Sequence, residues 1–328
     1  MKNCKIYFSL ITAFLLMFTL IGCGNMESKN ENSQPSKQTE SDQQAQSGSF
    51  PVTVTDASGS EITIEKKPTR IVSLMPSNTE IVFALGAGDS VVGVTEWDNY
   101  PEEVLEIEKV GGLDFNVEKV LSLKPDLVLA HASSMQNAND YGQIRDIGIP
   151  VIVVPNAQSF NEVYESITLI GNAVGANQEA ERIIDDMKKR LDVIKEKASK
   201  ISEDEMKTVW VEIMPEPDLY TTGKGTFIDD ILNLIHAKNA AGAYEGWIKF
   251  TEEDAILLNP DVILLTYGFY VENPTEKVYQ RKAWKDVPAV KNKQVFAIDS
   301  DKFNRTGPRL IEGVEELAAF IYPEVFSK

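Results

Sequence analysis

Few side chains in this sequence could make or break bonds. Histidine occurs only at His131 and His236 and cysteine only at Cys4 and Cys23, so a Cys/His zinc cluster cannot be assembled. No Gly-x-Ser-x-Gly elbow is present, and two histidines give no convincing acyl-transfer triad. Gly86-Ala87-Gly88 follows a helical stretch and precedes a strand, the reverse of a dinucleotide fingerprint. Thr222-Gly223-Lys224-Gly225-Thr226 lacks the upstream glycine of a phosphate loop and reads as a loop with a helix cap. His236 ends an apolar helical run, where a structural or dipole role is expected. His131 follows a strand's C-terminal end, where α/β ligand sites lie; lining a cleft and ordinary surface are both open to it. The chemistry that remains is binding. Trp97, Tyr100, Tyr220, Trp247, Tyr267, Phe269, Tyr270, Phe303 and Arg305 fall in loops after strands, and aromatic walls with few polar anchors suit a large, partly apolar ligand.

The elements that must position these loops come in two similar sets. Val117-Glu118-Lys119-Val120-Leu121-Ser122-Leu123-Lys124-Pro125-Asp126 is echoed by Glu252-Glu253-Asp254-Ala255-Ile256-Leu257-Leu258-Asn259-Pro260-Asp261, each followed by aliphatics. Each copy reads as a short helix led by acidic residues, stopped at proline, then a buried strand. A strand followed by Met75-Pro76 is likewise echoed by a strand followed by Met214-Pro215. The period is too long for a solenoid and predicts two α/β lobes, at 50–176 and 204–328, each offering a glutamate in the same place. Between them, 177–203 carries Ala180, Ile183, Ile184, Met187, Leu191 and Ile194 at helical spacing, so one long helix is the expected connector. Ser77 or Asn78 reads as the cap of a helix after Met75-Pro76, with Glu80 in its first turn.

The front of the chain is of another kind. Two lysines, Lys2 and Lys5, precede an apolar run from Ile6 to Ile21 that ends Gly22-Cys23. This is the pattern of a secretory signal peptide over 1–22 with lipidation at Cys23. Residues 23–49 are almost wholly polar and are expected to act as a solvated tether. A lipid on Cys23 with such a tether describes a body held near a membrane through its anchor only, on the outer face of a one-membrane, Gram-positive cell. The formal charge is −18, becoming −20 when Lys2 and Lys5 are removed with the signal. That balance argues against nucleic-acid partners.

Arg70-Ile71-Val72-Ser73-Leu74-Met75-Pro76-Ser77-Asn78-Thr79-Glu80, the paired Glu118 and Glu253 stretches, and Phe303-Asn304-Arg305-Thr306-Gly307-Pro308-Arg309 resemble the substrate-binding proteins of ABC importers for cobalamin, siderophores and haem. Within that group the chain most resembles the cobalamin-binding branch, through Ser77-Asn78-Thr79-Glu80, Thr222-Gly223-Lys224, Asn116-Val117-Glu118-Lys119 and Asp301-Lys302-Phe303-Asn304-Arg305. The resemblance implies two Rossmann-like lobes, each with a mostly parallel sheet, bridged by one helix that permits little hinge closure. It implies docking of Glu118 and Glu253 onto a permease dimer that works with ATPase subunits. It also implies a ligand site drawn from Pro76, Ser77, Trp97, Tyr100, His131, Tyr220, Trp247, Tyr267, Phe303 and Arg305. Trp97 falls where that branch has a cleft tyrosine, Trp247 matches a tryptophan, and His131 replaces an aromatic. Where the branch has a further tryptophan before the first-lobe glutamate, this chain has Gly111-Gly112-Leu113-Asp114-Phe115, one residue shorter.

The expected function is thus that of a binding protein delivering a corrinoid, with no resident cofactor, no metal and no catalysis. A ferric-siderophore or haem receptor is the alternative within the family. A surface enzyme acting on a tetrapyrrole or iron chelate is the alternative from another class. A catecholate siderophore would want several cations, and only Arg305, Lys224 and Lys302 offer themselves.

Overall fold

A computed structural model describes residues 48–326; the signal stretch, Cys23 and nearly all of the tether lie outside the described residues. The first lobe opens with an antiparallel hairpin, β1 (Val52–Thr55) and β2 (Glu61–Ile64). Its main sheet contains β3 (Ile71–Ser73), β4 (Val91–Gly93), β5 (Leu127–His131) and β6 (Val151–Val154), in the order β4-β3-β5-β6 with every pair parallel. Helices α1 (Pro76–Ala84), α2 (Val117–Ser122), α3 (Ala138–Asp146) and α4 (Phe160–Val174) connect and cover it. Nearly unbroken aliphatic runs such as Val151-Ile152-Val153-Val154 are buried along their whole length, as a sheet covered on both faces requires.

The connector α5 (Asn177–Ala198) is 22 residues long, about 33 Å at 1.5 Å per residue. It buries Ala180, Ile183, Ile184, Met187, Leu191, Ile194 and Ala198. All of these but Ala198 join one apolar core that runs from Ile71 and Leu127 in the first lobe to Val209 and Leu264 in the second. The helix is therefore packed between the lobes rather than stretched bare across a gap. At its start Gly175 takes the left-handed conformation (φ 69°) that ends α4, and the Phe50 ring lies so close that a β-carbon there would come within 2.8 Å of it.

The second lobe contains β7 (Thr208–Glu212), β8 (Tyr220–Thr222), β9 (Lys238–Asn239), β10 (Trp247–Lys249), β11 (Val262–Leu265) and β12 (Val295–Ala297). Its helices are α6 (Phe227–Leu234), α7 (Glu252–Leu257), α8 (Pro274–Tyr279), α9 (Pro288–Lys291), α10 (Ser300–Asn304), α11 (Leu310–Ile321) and α12 (Pro323–Phe326). The sheet order β9-β7-β11-β12, again all parallel, repeats the first lobe position for position. The two Pro-Asp pairs show why. The carboxylate of Asp126 accepts the backbone N–H of Arg70 at 2.8 Å, and that of Asp261 accepts the backbone N–H of Thr208 at 2.9 Å. In each lobe an aspartate ties the start of one parallel strand to the next. The residues before the prolines, Lys124 and Asn259, both adopt positive φ (49° and 47°), the left-handed conformation that ends α2 and α7 one residue past their C-caps.

The expected cap of α1 is not what forms. The helix starts at Pro76 with Met75 in the cap position and no side-chain cap bond. Proline at the first turn loses nothing there, because that N–H has no helical partner. This frees three polar side chains. Asn78 donates to the Ala130 carbonyl at 2.9 Å, Thr79 donates to Ser73 Oγ at 2.8 Å, and Glu80 reaches into the other lobe.

Candidate functional site

The loops of Trp97 and Tyr100 after β4 and of Tyr267, Phe269 and Tyr270 after β11 leave the C-terminal ends of sheet strands, the edge where ligands bind in open α/β sheets. Tyr220 and Trp247 instead lie within β8 and β10, and Phe303 within α10, rather than in loops. On the first lobe, the loop after β4 is a turn closed by Asp98, whose Oδ2 accepts the N–H of Thr95 at 2.9 Å and its hydroxyl at 2.5 Å. Burial raises the Asp98 pKa against those hydrogen bonds. The turn pushes Trp97 outward, 59% exposed. The indole rests over Gly112, where a β-carbon would lie 3.1 Å from Trp97 Nε1. Tyr100 is also exposed, and the Arg309 guanidinium stacks on its ring at 3.8 Å.

On the second lobe, β10 pairs with β8 in a short antiparallel ribbon that sets Lys249 opposite Tyr220 and Trp247 opposite Thr222. Trp247 is 55% exposed on that ribbon. Tyr244, before it, packs edge-on against Phe250. After β11, Phe269 and Tyr270 are exposed and meet edge to face at 4.7 Å, while Tyr270 leans on Tyr267.

Several expected site residues have other surroundings. Tyr267 is 1% exposed and its hydroxyl donates to Glu212 at 2.5 Å; burial, then the Glu212 charge, raise its pKa. Phe303 is 2% exposed and belongs to the shared core. Neither presents a surface to a ligand. Pro76 and Ser77 are buried in the first turn of α1. His131 is 5% exposed, and its Nδ1 accepts the Ser133 N–H at 3.2 Å beside the Ser133 hydroxyl at 2.8 Å. Desolvation lowers its pKa to about 4, against a hydrogen bond to the Pro155 carbonyl that favours the charged form. With Nδ1 taken up by Ser133 and burial holding the pKa down, the neutral ring is favoured near pH 7. His236 lies past the end of α6 at φ 57°, and its carbonyl accepts the Tyr322 hydroxyl at 2.8 Å.

Arg305 is not an open cation. It donates to Glu80 at 2.8 Å, Asn99 at 2.7 Å and the Trp97 carbonyl at 3.1 Å, and pairs with Asp301 at 3.1 Å. Lys302 is paired with Glu312 and Glu316. The structure thus gathers Trp97, Tyr100 and Arg305 at one cross-lobe contact, and Tyr220 and Trp247 on one ribbon. A separate cavity of about 460 Å³ lies behind that contact, along α5, lined by Phe83, Tyr100, Met187, Arg190 and Arg309 among others. Its three arginines are all paired, Arg309 with Glu80, Arg190 with Glu315 and Arg182 with Glu179. Sequence reasoning missed Glu80, Asn99 and Arg309. Glu80 and Arg309 are charged and Asn99 is a neutral amide, and nothing in their local sequence marks them as partners of one another.

Glu118 and Glu253 both occupy the second position of their helices, α2 and α7, and both are exposed, whereas Glu252 is half-buried. Side-chain caps from Asn116 and Thr251 fix the two starts, accepting from Lys119 N at 2.9 Å and Asp254 N at 3.1 Å. Each helix leads back to the start of its strand, so its first turn points to the same edge as the aromatic loops.

Known proteins share this arrangement. The periplasmic binding protein family model matches residues 71–302. A Bacillus subtilis protein described as an uncharacterized ABC transporter substrate-binding lipoprotein, YvrC, is 50% identical over all of this chain and 99% of its own length. The crystal structure of a possible iron-binding periplasmic solute-binding protein from Staphylococcus epidermidis is 34% identical, with a TM-score of 0.70 over 78% of this chain and 100% of that one. That of the periplasmic vitamin B12 binding protein BtuF of Vibrio cholerae is 25% identical, with a TM-score of 0.67 over 78% of this chain and 97% of that one. With the duplicated parallel sheets, the shared helix and the aromatic loops, these matches establish that the chain belongs to the periplasmic binding protein family and is a substrate-binding protein of an ABC transporter, not an enzyme.

Proposed function

We propose that the protein is a lipid-anchored extracytoplasmic receptor that captures a corrinoid, cobalamin or a close relative, at its aromatic loops and delivers it to a permease. The observation that carries the ligand class is how the cations are used. Of the three considered, Arg305 and Lys302 are taken up in ion pairs and only Lys224 has none. Exposed Trp97, Trp247, Phe269 and Tyr270 supply the remaining contact surface. A large ring fringed by neutral amides suits such a site, and a polyanionic chelate would leave its charges unpaired. The vitamin B12 binding neighbour supports this reading. A ferric chelate is the second reading, favoured by the iron-binding neighbour at 34% identity.

Glu118 and Glu253 serve as the two contact points for a permease dimer coupled to ATPase subunits. Cys23 carries the lipid, in keeping with the lipoprotein description of the Bacillus subtilis relative. Among the described residues no helix is long and apolar enough to cross a membrane. Trp210 and Trp284 are fully buried whereas Trp97 and Trp247 are exposed, so tryptophan quenching reports on the site. Titration with cyanocobalamin, haemin and ferric siderophores is expected to give saturable quenching with cobalamin. Saturation by a ferric siderophore alone would overturn the corrinoid reading.

A further inference from the structure

The cross-lobe contact holds more than two lobes together. Glu80, on the first turns of α1, has a side chain only 2% exposed. Its Oε1 accepts Arg305 Nη1 at 2.8 Å and Arg309 Nη2 at 2.6 Å, and its Oε2 accepts Arg309 Nε at 2.8 Å. Both arginines come from the far lobe, more than 220 residues along the chain. Each also reaches the aromatic loop after β4, and Arg305 is paired besides with Asp301 of its own lobe at 3.1 Å. Arg305 donates to the Trp97 carbonyl and to Asn99, and Arg309 covers the Tyr100 ring. Asn99 closes the group by donating to Asp301 at 2.8 Å.

We propose that Glu80 is a positioning residue for ligand recognition: through Arg305 and Arg309 it fixes Trp97 and Tyr100 from the opposite lobe. An arginine without a fixed carboxylate samples many rotamers, whereas two arginines forked onto one carboxylate are held in register. The loop's backbone carbonyl and its second aromatic ring then inherit that register. The aromatic wall of one lobe is thus set by its distance from the other, and the site's width and its stacking surface are one variable.

The geometric half of this inference stands without the ligand; the affinity half rests on the function proposed above. In a Trp247→Phe background, ligand-free quenching by neutral acrylamide isolates Trp97, the remaining exposed tryptophan. Glu80→Gln, which keeps size but removes the charge, is expected to raise the Trp97 quenching constant. Arg309→Lys keeps charge but loses the fork and the ring stacking, and should shift quenching in the same direction. With Trp247 intact, Glu80→Gln should weaken cyanocobalamin binding about tenfold, the size of one charge-assisted hydrogen bond. Arg190→Met opens a different ion pair, between α5 and Glu315 at 2.6 Å, and controls for general loosening. Unchanged Trp97 quenching in Glu80→Gln overturns the proposal, as does an equal increase in Arg190→Met. Absence of cobalamin, haemin and siderophore binding to the parent protein would refute the ligand reading, while the quenching comparison would still decide the role of Glu80.

Discussion

Glu212 and Arg281 face each other through two hydrogen bonds, Nη2 to Oε1 at 2.6 Å and Nη1 to Oε2 at 2.8 Å, with their side chains 0% and 6% exposed. Tyr267 and Trp210 complete the carboxylate's bonds, and Glu216 takes the guanidinium's Nε at 3.1 Å. Counting from the matched strand pairs Ile71–Leu127 and Val209–Val262, the equivalent of Glu212 in the first lobe is buried Leu74. One copy of the duplicated fold therefore closes this position with hydrocarbon and the other with an ion pair. Removing one partner strands a charge in the core, so Arg281→Met should cost about 3–5 kcal/mol in urea unfolding. The double change Glu212→Leu with Arg281→Met should recover most of that loss. A single-variant cost below about 1 kcal/mol would show that water reaches the pair.

Trp97 and Trp247 are exposed while Tyr267 is sealed beneath the surface, so under the proposed function the first two are the residues expected to touch a ligand and the third supports the fold. Trp97→Ala and Trp247→Ala should each weaken ligand binding by roughly tenfold or more, the scale of a lost aromatic contact. Tyr267→Phe should leave affinity nearly unchanged and lower stability instead, since it removes one bond to Glu212. Calorimetric titration checks the first effect and thermal unfolding the second. A Tyr267→Phe variant that folds normally but fails to bind would contradict this division.

Among the described residues Glu118 and Glu253 are exposed first-turn acids of α2 and α7 with no side-chain hydrogen bond or ion pair. Glu118→Ala and Glu253→Ala should abolish uptake of labelled ligand in cells while leaving the dissociation constant of the purified protein intact. Glu252→Ala should matter less, because that side chain is half-buried near Glu216, whose pKa is raised by burial and by Glu252 among others. A parallel loss of ligand affinity in the Glu118 or Glu253 variants would refute the docking role.

His131 gives stability a defined pH dependence. Its pKa falls from 6.5 to about 4 in the folded chain, because burial disfavours the charged ring. The unfolded state then binds more protons across that window, so stability is fully present above pH 6.5 and is lost as pH falls toward 4. The loss attributable to this one group reaches about 3 kcal/mol. Denaturant midpoints from pH 7 to pH 4 should decline, and less steeply in His131→Gln. Identical slopes in the two proteins would show that the ring is not desolvated in the fold.

The features legible in the sequence were those carried by local pattern. Buried aliphatic runs, the apolar stripe of α5 and the twin Pro-Asp stretches depend on neighbours within a turn or two, and they formed as expected. Glu80 shows the opposite case. It reads as a first-turn acid of α1, because nothing local reveals two arginines arriving from residues 305 and 309. Arg305 and Phe303 were assigned to a ligand loop for the same reason. Residues 300–304 instead form a short helix whose Phe303 turns into the core. The ribbon of β8 and β10 is three residues wide on each side, too short for alternation to rise above noise. Aromatic side chains in loops were the least decidable, since Tyr267 and Tyr270 differ by one pitch of the chain and by the whole depth of the surface.

The chain enters the folded body where Phe50 lies on Gly175, at the corner from which α5 departs. Phe50 packs there against the apolar core that both lobes share. The first described residues are therefore tied at once to β1 of the first lobe and to the core that both lobes share.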